Sequence, residues 1–181
     1  GALTITTNDA SGTDADATIN SGTTTGLIIA ASTIDGDLTL TNGHGATITD
    51  SGTVTVGGNL AVTTNANNGE INLGTLAVTG TIALTTDGTG NATVVNASGL
   101  NLAASTVGGT LSATATTGNI IQSGTLIITG TTTLVTSAND ATITLDNTSN
   151  AFTGALTITT NDASGMDAAV IIDGGMTALI I

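Results

Sequence analysis

The chain contains no lysine, arginine, proline, cysteine, tryptophan or tyrosine, and only one phenylalanine and one histidine. Each absence excludes something. With no Lys or Arg and 13 acidic residues the formal charge is −13, so the surface cannot neutralise phosphates and suits neither nucleic acid nor an anionic lipid surface. Without cysteine there is no disulfide framework and no thiolate metal site. No apolar run reaches the ~18 residues of a membrane helix, and no basic segment precedes an apolar one, so neither membrane insertion nor a leader is expected within these residues. The missing aromatics remove the platforms on which sugars or bases stack.

What remains is Thr, Gly, Ala, Asn and Ser, with 39% hydrophobic residues. Many of these alternate with polar ones, which marks half-buried strands and separates the chain from a disordered low-complexity one. Repetition is the stronger signal. GALTITTNDASG at Gly1–Gly12 returns unchanged at Gly154–Gly165, and GTIALTTDGTG at Gly80–Gly90 is a weaker copy. TGLIIAAST (Thr25–Thr33) returns as SGLNLAAST (Ser98–Thr106). Residues 1–181 therefore read as one continuous solenoid with repeat units 1–79 and 80–153 and the start of a third, 154–181.

Gly1, Gly36, Gly58, Gly80, Gly109, Gly130 and Gly154 each open a strand, at spacings of 35, 22, 22, 29, 21 and 24 residues. Taking every interval as one coil gives three coils per unit. Each coil holds three short strands, as in NLAVTT (59–64), EINLG (70–74) and TLAVT (75–79). Alternate residues then form three apolar columns. The first runs through Leu3, Leu38, Leu60, Ile82, Leu111, Leu134 and Leu156, and the second through Ile19, Ile48, Ile71, Val94, Ile143 and Ile172. The third runs through Leu27, Val54, Leu76, Leu100, Leu126 and Phe152.

The expected fold is all-β, a parallel β-helix (β-solenoid) of about seven coils and on the order of 30 Å long. Outward Thr suits a pleated surface, and a ladder position cannot lose its N–H, which accounts for the missing Pro. Leu3, Leu60, Ile82, Ile71, Leu76, Leu102, Ile128 and Leu156 are expected to be inaccessible, and Thr4, Ala61 and Thr157 to face outward. Leu3, Ile82 and Leu156 are expected on one column, with neighbours roughly 14 Å apart. A stack cut between coils exposes an unpaired rung, so covalent continuation or stacking by another copy is expected at its ends.

The phrases GLNLAASTVGGTLSATATTGNIIQSGTLIITGTTTLV (Gly99–Val135) and ATITLDNTSNAFTGALTIT (Ala141–Thr159) resemble the β-strand repeats of filamentous-haemagglutinin-like giant exoproteins of Gram-negative bacteria. The resemblance spans essentially the whole chain. It implies a right-handed β-helical stalk, secreted and displayed on the bacterial cell surface as part of an adhesin or filament. The expected partners are neighbouring solenoid repeats and the surface of a host or neighbouring cell or, on the alternative that the chain is a self-assembling filament subunit with its end rungs unpaired, copies of itself end to end.

The residues point to no catalytic or cofactor site and to a non-enzymatic, structural role. His44 lies in the turn signal TNGHG, and the Ser-Gly corners at Ser51 and Ser123 have no base beside them. Asn8, Asp9, Asp14 and Asp16, in NDASGTDAD, offer hard oxygen ligands on a Gly-containing loop that could hold Ca²⁺. Their spacing fits neither an EF-hand nor a calcium-binding nonapeptide, and the copy NDASGMDAA puts Ala169 where Asp16 stands. Asp and Asn are therefore read as corner caps, and no metal or other cofactor is assigned. Thr4 and Thr6, Thr39 and Thr41, Thr53 and Thr55, Thr142 and Thr144, and Thr157 and Thr159 resemble the outward ladders of ice-binding solenoids. The column assignment scatters these pairs over different faces, which favours β-propensity as their cause.

Overall fold

A computed structural model of the chain describes residues 1–9, 15–22, 25–162 and 168–180. These hold twenty strands and no helix, and so no helix long and apolar enough to cross a membrane. The first seven strands are β1 (Ala17–Ser21), β2 (Leu27–Ile29), β3 (Ser32–Ile34), β4 (Leu38–Asn42), β5 (Ile48–Asp50), β6 (Val54–Val56) and β7 (Leu60–Thr64). Next come β8 (Ile71–Val78), β9 (Thr81–Thr85), β10 (Ala92–Asn96), β11 (Leu100–Leu102), β12 (Ser105–Val107), β13 (Leu111–Ala115) and β14 (Ile120–Gln122). The last six are β15 (Leu126–Ile128), β16 (Thr132–Asn139), β17 (Ile143–Leu145), β18 (Ala151–Asn161), β19 (Val170–Ile172) and β20 (Gly175–Ile180). Every pairing between them is parallel.

The fold is the expected β-solenoid. Ile28 pairs with Thr49, and the same ladder climbs through Asn72, Thr93, Ser112, Thr133 and Thr157 to Ile180, seven pairings in succession. Strand alternation puts Leu38 and Leu40 inside and Thr39 and Thr41 outside, and Val54 and Val56 inside with Thr55 outside. The interior is one continuous aliphatic core in which Phe152 is the largest buried side chain. Each fully buried Leu, Ile or Val contributes about 1.5–3 kcal/mol.

A typical turn consists of one long strand and two short ones. Between the short strands β2 and β3 the alternation slips at Ala30–Ala31, neither of which is buried, and the same slip falls at Ala103–Ala104 between β11 and β12. The long strand and the short pair occupy opposite sides of the rod. In the first half the long strands β1, β4, β7 and β9 stack on one side. In the second half the long strands β10, β13, β16 and the Leu156–Thr159 part of β18 stack on the other.

The exchange happens at β9 and β10, two long strands in succession. The short pair β11–β12 lies above the long β9, while the long β10 lies above the bent β8. This corrects the column assignment. Ile82 belongs to the column Ala17–Leu38–Leu60–Ile82–Leu102. Leu156 belongs to Leu27–Ile48–Ile71–Ala92–Leu111–Thr132–Leu156 on the opposite side. The unit is therefore not three coils. The 35- and 29-residue intervals opening at Gly1 and Gly80 each hold one and a half turns, because each contains an extra long strand.

The glycines record the same exchange. Gly58 and Gly80 donate to Gly36 O and Gly58 O at 2.9 and 3.0 Å, whereas Gly109 and Gly130 donate to Gly90 O and Gly109 O, both at 2.9 Å. These are two separate columns, not one. A Cβ on Gly80 would lie 2.5 Å from Gly58 O, and one on Gly130 2.5 Å from the Gly109 carbonyl carbon, so the closeness of successive turns requires glycine there.

The inward set holds with one exception. Leu60, Ile82, Ile71, Leu76, Leu102, Ile128 and Leu156 are buried, Thr4 is exposed, and Ala61 and Thr157 are half-buried and outward. Leu3 is 36% exposed. Its bridge to Ile29 places it over the interior, but within this chain it has a turn on one side only.

Candidate functional site

The surface is built from three kinds of position: corners, outward strand residues, and the places where the sides exchange. The described acids lie between strands, apart from Asp50 at the end of β5. Several do the same thing. Asp16 Oδ1 accepts the Asp37 N–H at 2.8 Å, Asp37 Oδ1 accepts the Asn59 N–H at 2.6 Å, and Asn59 Oδ1 accepts the Thr81 N–H at 2.9 Å. On the opposite side Asn91 donates to Glu70 Oε1 at 2.9 Å and accepts the Thr110 N–H at 2.8 Å. Asp50 accepts from Gly74 N at 3.0 Å and from Thr75 N at 2.6 Å.

These side chains satisfy backbone donors where the chain leaves the ladder, at a net ~0.5–3 kcal/mol each depending on charge and exposure. Of the calcium candidates, Asp16 is thus engaged in a corner bond, and Asp14 lies outside the described residues. Among the described residues no group of three or more His, Asp or Glu side chains is placed to hold a metal ion. His44 is exposed in its turn, where its N–H donates to Asn42 Oδ1 at 3.1 Å.

The outward residues of the long strands form two uncharged arrays. One side carries Thr18 and Asn20, Thr39 and Thr41, Ala61 and Thr63, and Ala83 and Thr85 on β1, β4, β7 and β9. The other carries Thr93 and Val95, Ser112 and Thr114, Thr133 and Val135, and Thr157 and Thr159, on four consecutive rungs. Of the five threonine pairs, Thr39 and Thr41 belong to the first array and Thr157 and Thr159 to the second, on the opposite side, while Thr55 and Thr144 lie on the short strands β6 and β17, so the pairs are scattered over different faces as the sequence columns implied. The short strands are more apolar outside: Ile28, Ile121, Ile127 and Ile171 are 38–52% exposed. A shallow groove of about 320 Å³, lined by Thr79, Gly80, Leu100, Asn101, Asn119 and Ile121 among others, offers no titratable side chain.

Four residues that sequence reasoning passed over organise the exchanges. Where a short pair lies above a long strand its path is one residue longer: Leu3 to Thr6 faces Ile29 to Thr33, and Ile82 to Thr85 faces Leu102 to Thr106. A long-strand N–H is left without a main-chain acceptor opposite it. Ser32 Oγ accepts from Ile5 N at 3.0 Å and donates to Ala30 O at 2.8 Å; Ser105 Oγ accepts from Leu84 N at 3.0 Å and donates to Ala103 O at 2.9 Å. Thr7 and Thr86 end the two long segments alike. The Thr7 hydroxyl donates to Ala15 O at 2.7 Å and accepts from Asp35 N at 3.0 Å, while that of Thr86 donates to Gly90 O at 2.8 Å and accepts from Gly108 N at 3.0 Å. The signal was the recurring AAST, at 30–33 and 103–106, but only the three-dimensional register reveals its use.

No curated protein and no solved structure matches the chain. A family model of repeats of unknown function matches residues 14–73 and 89–159, most of the chain, and its two matches open 75 residues apart, the first just after the phrase Gly1–Gly12 and the second at the end of its weaker copy Gly80–Gly90. The chain, an all-β solenoid matched twice by this model over more than half of its length, belongs to the DUF5649 family of repeats.

Proposed function

We propose that the chain is a non-enzymatic structural segment of a bacterial extracellular adhesin or surface filament, and that its work is to be long, stiff and displayed. One observation carries this reading: a single set of parallel rungs runs through the chain without a break, from Ile28 to Ile180. Stability in such a stack accumulates between neighbouring turns, so length can grow without a new core. Corner carboxylates keep the surface acidic and soluble while their oxygens accept from the backbone. The partners in this reading are adjoining repeats or further copies end to end, with a cell surface beyond. Antibody raised against the 181-residue segment should label the outside of intact cells that produce the protein, along thin projections. Labelling only after lysis would overturn the reading.

A second reading is favoured by the four-rung array from Thr93 and Val95 to Thr157 and Thr159. Neutral hydroxyl and methyl groups repeat there at about 4.8 Å between rungs and about 6.7 Å along each strand, as a surface that orders water into ice requires. Thermal hysteresis that disappears in Thr114→Lys and Thr133→Lys would establish it. No hysteresis in the parent chain would remove it.

A further inference from the structure

We propose that each repeat unit is a half-turn module, so that adding or removing one unit swings everything beyond it to the opposite side of the rod. Unit one opens with the long segment Leu3–Thr7, next to which among the described residues comes the long β1, and then runs through β2–β3, β4, β5–β6, β7 and β8. Unit two opens with the long β9 followed directly by β10, and then runs through β11–β12, β13, β14–β15, β16, β17 and the first residues of β18. Each unit is thus one long strand plus three full turns. Two units make a whole number of turns, which is why Leu3 and Leu156, from identical phrases, face the same side while Ile82 faces the other.

A second observation stands apart from this counting. The bonds of Thr7 and Ser32 are reproduced by Thr86 and Ser105 with the same atoms in the same roles. A solenoid that advanced by whole turns would always stack long strand on long strand and would need no such patch. The exchange is therefore encoded in the repeat. Equivalent surfaces emerge on alternate sides, about 17 Å apart along the axis for three and a half rungs. The half turn itself needs no assumption about function. On the stalk reading, an odd or even number of units then sets the direction in which the far end of the stalk faces.

The test uses the absence of native cysteine. Thr39→Cys and Thr157→Cys, each labelled with pyrene, lie on opposite sides of the parent rod, so no excimer emission is expected. Deleting residues 80–153 brings Leu156 over Leu60 and Thr157 over Ala61, two rungs above Thr39 and about 10 Å away. Strong excimer emission, unchanged on dilution, is expected. A deletion variant with parental β-sheet circular dichroism and no excimer overturns the proposal. So does failure of both this deletion and a duplication of 80–153 to fold when a deletion of the single turn 60–81 folds, because the unit would then not be a module. Cell-surface labelling is unaffected by either result, which separates this inference from the stalk reading.

Discussion

Residues 1–12 and 154–165 have the same twelve-residue sequence, and Leu3 and Leu156 within them face the same side of the rod, yet they live in different surroundings. Leu3 is 36% exposed and Leu156 is fully buried. A Cβ added to Gly1 meets nothing within 4 Å, whereas one added to Gly154 would run into the Gly130 carbonyl. Leu156 has β16 on one face and β20 on the other, while Leu3 has only the turn of Ile29 above it. Composition and alternation decide which way a side chain points. How much that orientation is worth is decided by the turns above and below.

The comparison can be broken by making the same substitution in both copies. Leu156→Ala should cost about 2–5 kcal/mol, as for a buried leucine with an incompletely collapsed cavity, and Leu3→Ala under about 1 kcal/mol; chemical denaturation of the two variants reads the difference. Equal losses would mean that Leu3 is covered in solution. Gly154→Ala should destabilise by about 1–3 kcal/mol through overpacking against the turn below, while Gly1→Ala leaves the midpoint of thermal unfolding in place. Ser105→Ala strands the Leu84 N–H and should cost about 1–2 kcal/mol, with faster amide exchange confined to β9 and β11. Ser32→Ala, above the first phrase, should release Ile5 with a smaller global effect. At the small end, Thr157→Val and Thr4→Val should both stay within about 0.5 kcal/mol of the parent.

Much of the fold was legible because period-two alternation fixes inside and outside directly, as at Leu60, Ile71, Leu76 and Ile82. What alternation cannot fix is which residue lies one turn above. ATINS (17–21) and ATVVN (92–96) read as one more strand among many, and nothing local marks the first as the extra half turn that sets Ile82 opposite Leu3, or the second as the one that moves Leu156 away from Ile82's column. Coil spacing therefore misled wherever an interval exceeded about one turn. The corner role of Asp16 was legible in kind, since short carboxylates suit turns. Its acceptor bond to Asp37 N needed the neighbouring turn to be in place. Ser32 and Ser105 stayed hidden for the same reason: their partners are 27 and 21 residues away.

The hydrogen bonds that join one turn to the next run along the rod, so tension applied between its two ends does not load them together. It opens the last rung, then the one beneath it, each time releasing a turn such as the 21 residues between Leu111 and Thr132. A released turn of this size extends to about 70 Å where its rung occupied about 4.8 Å. Under load the rod should behave as a brake, yielding a long, stepwise extension at modest force. Single-molecule stretching should show increments of that length, and one abrupt loss of the whole structure would show instead that the turns yield together.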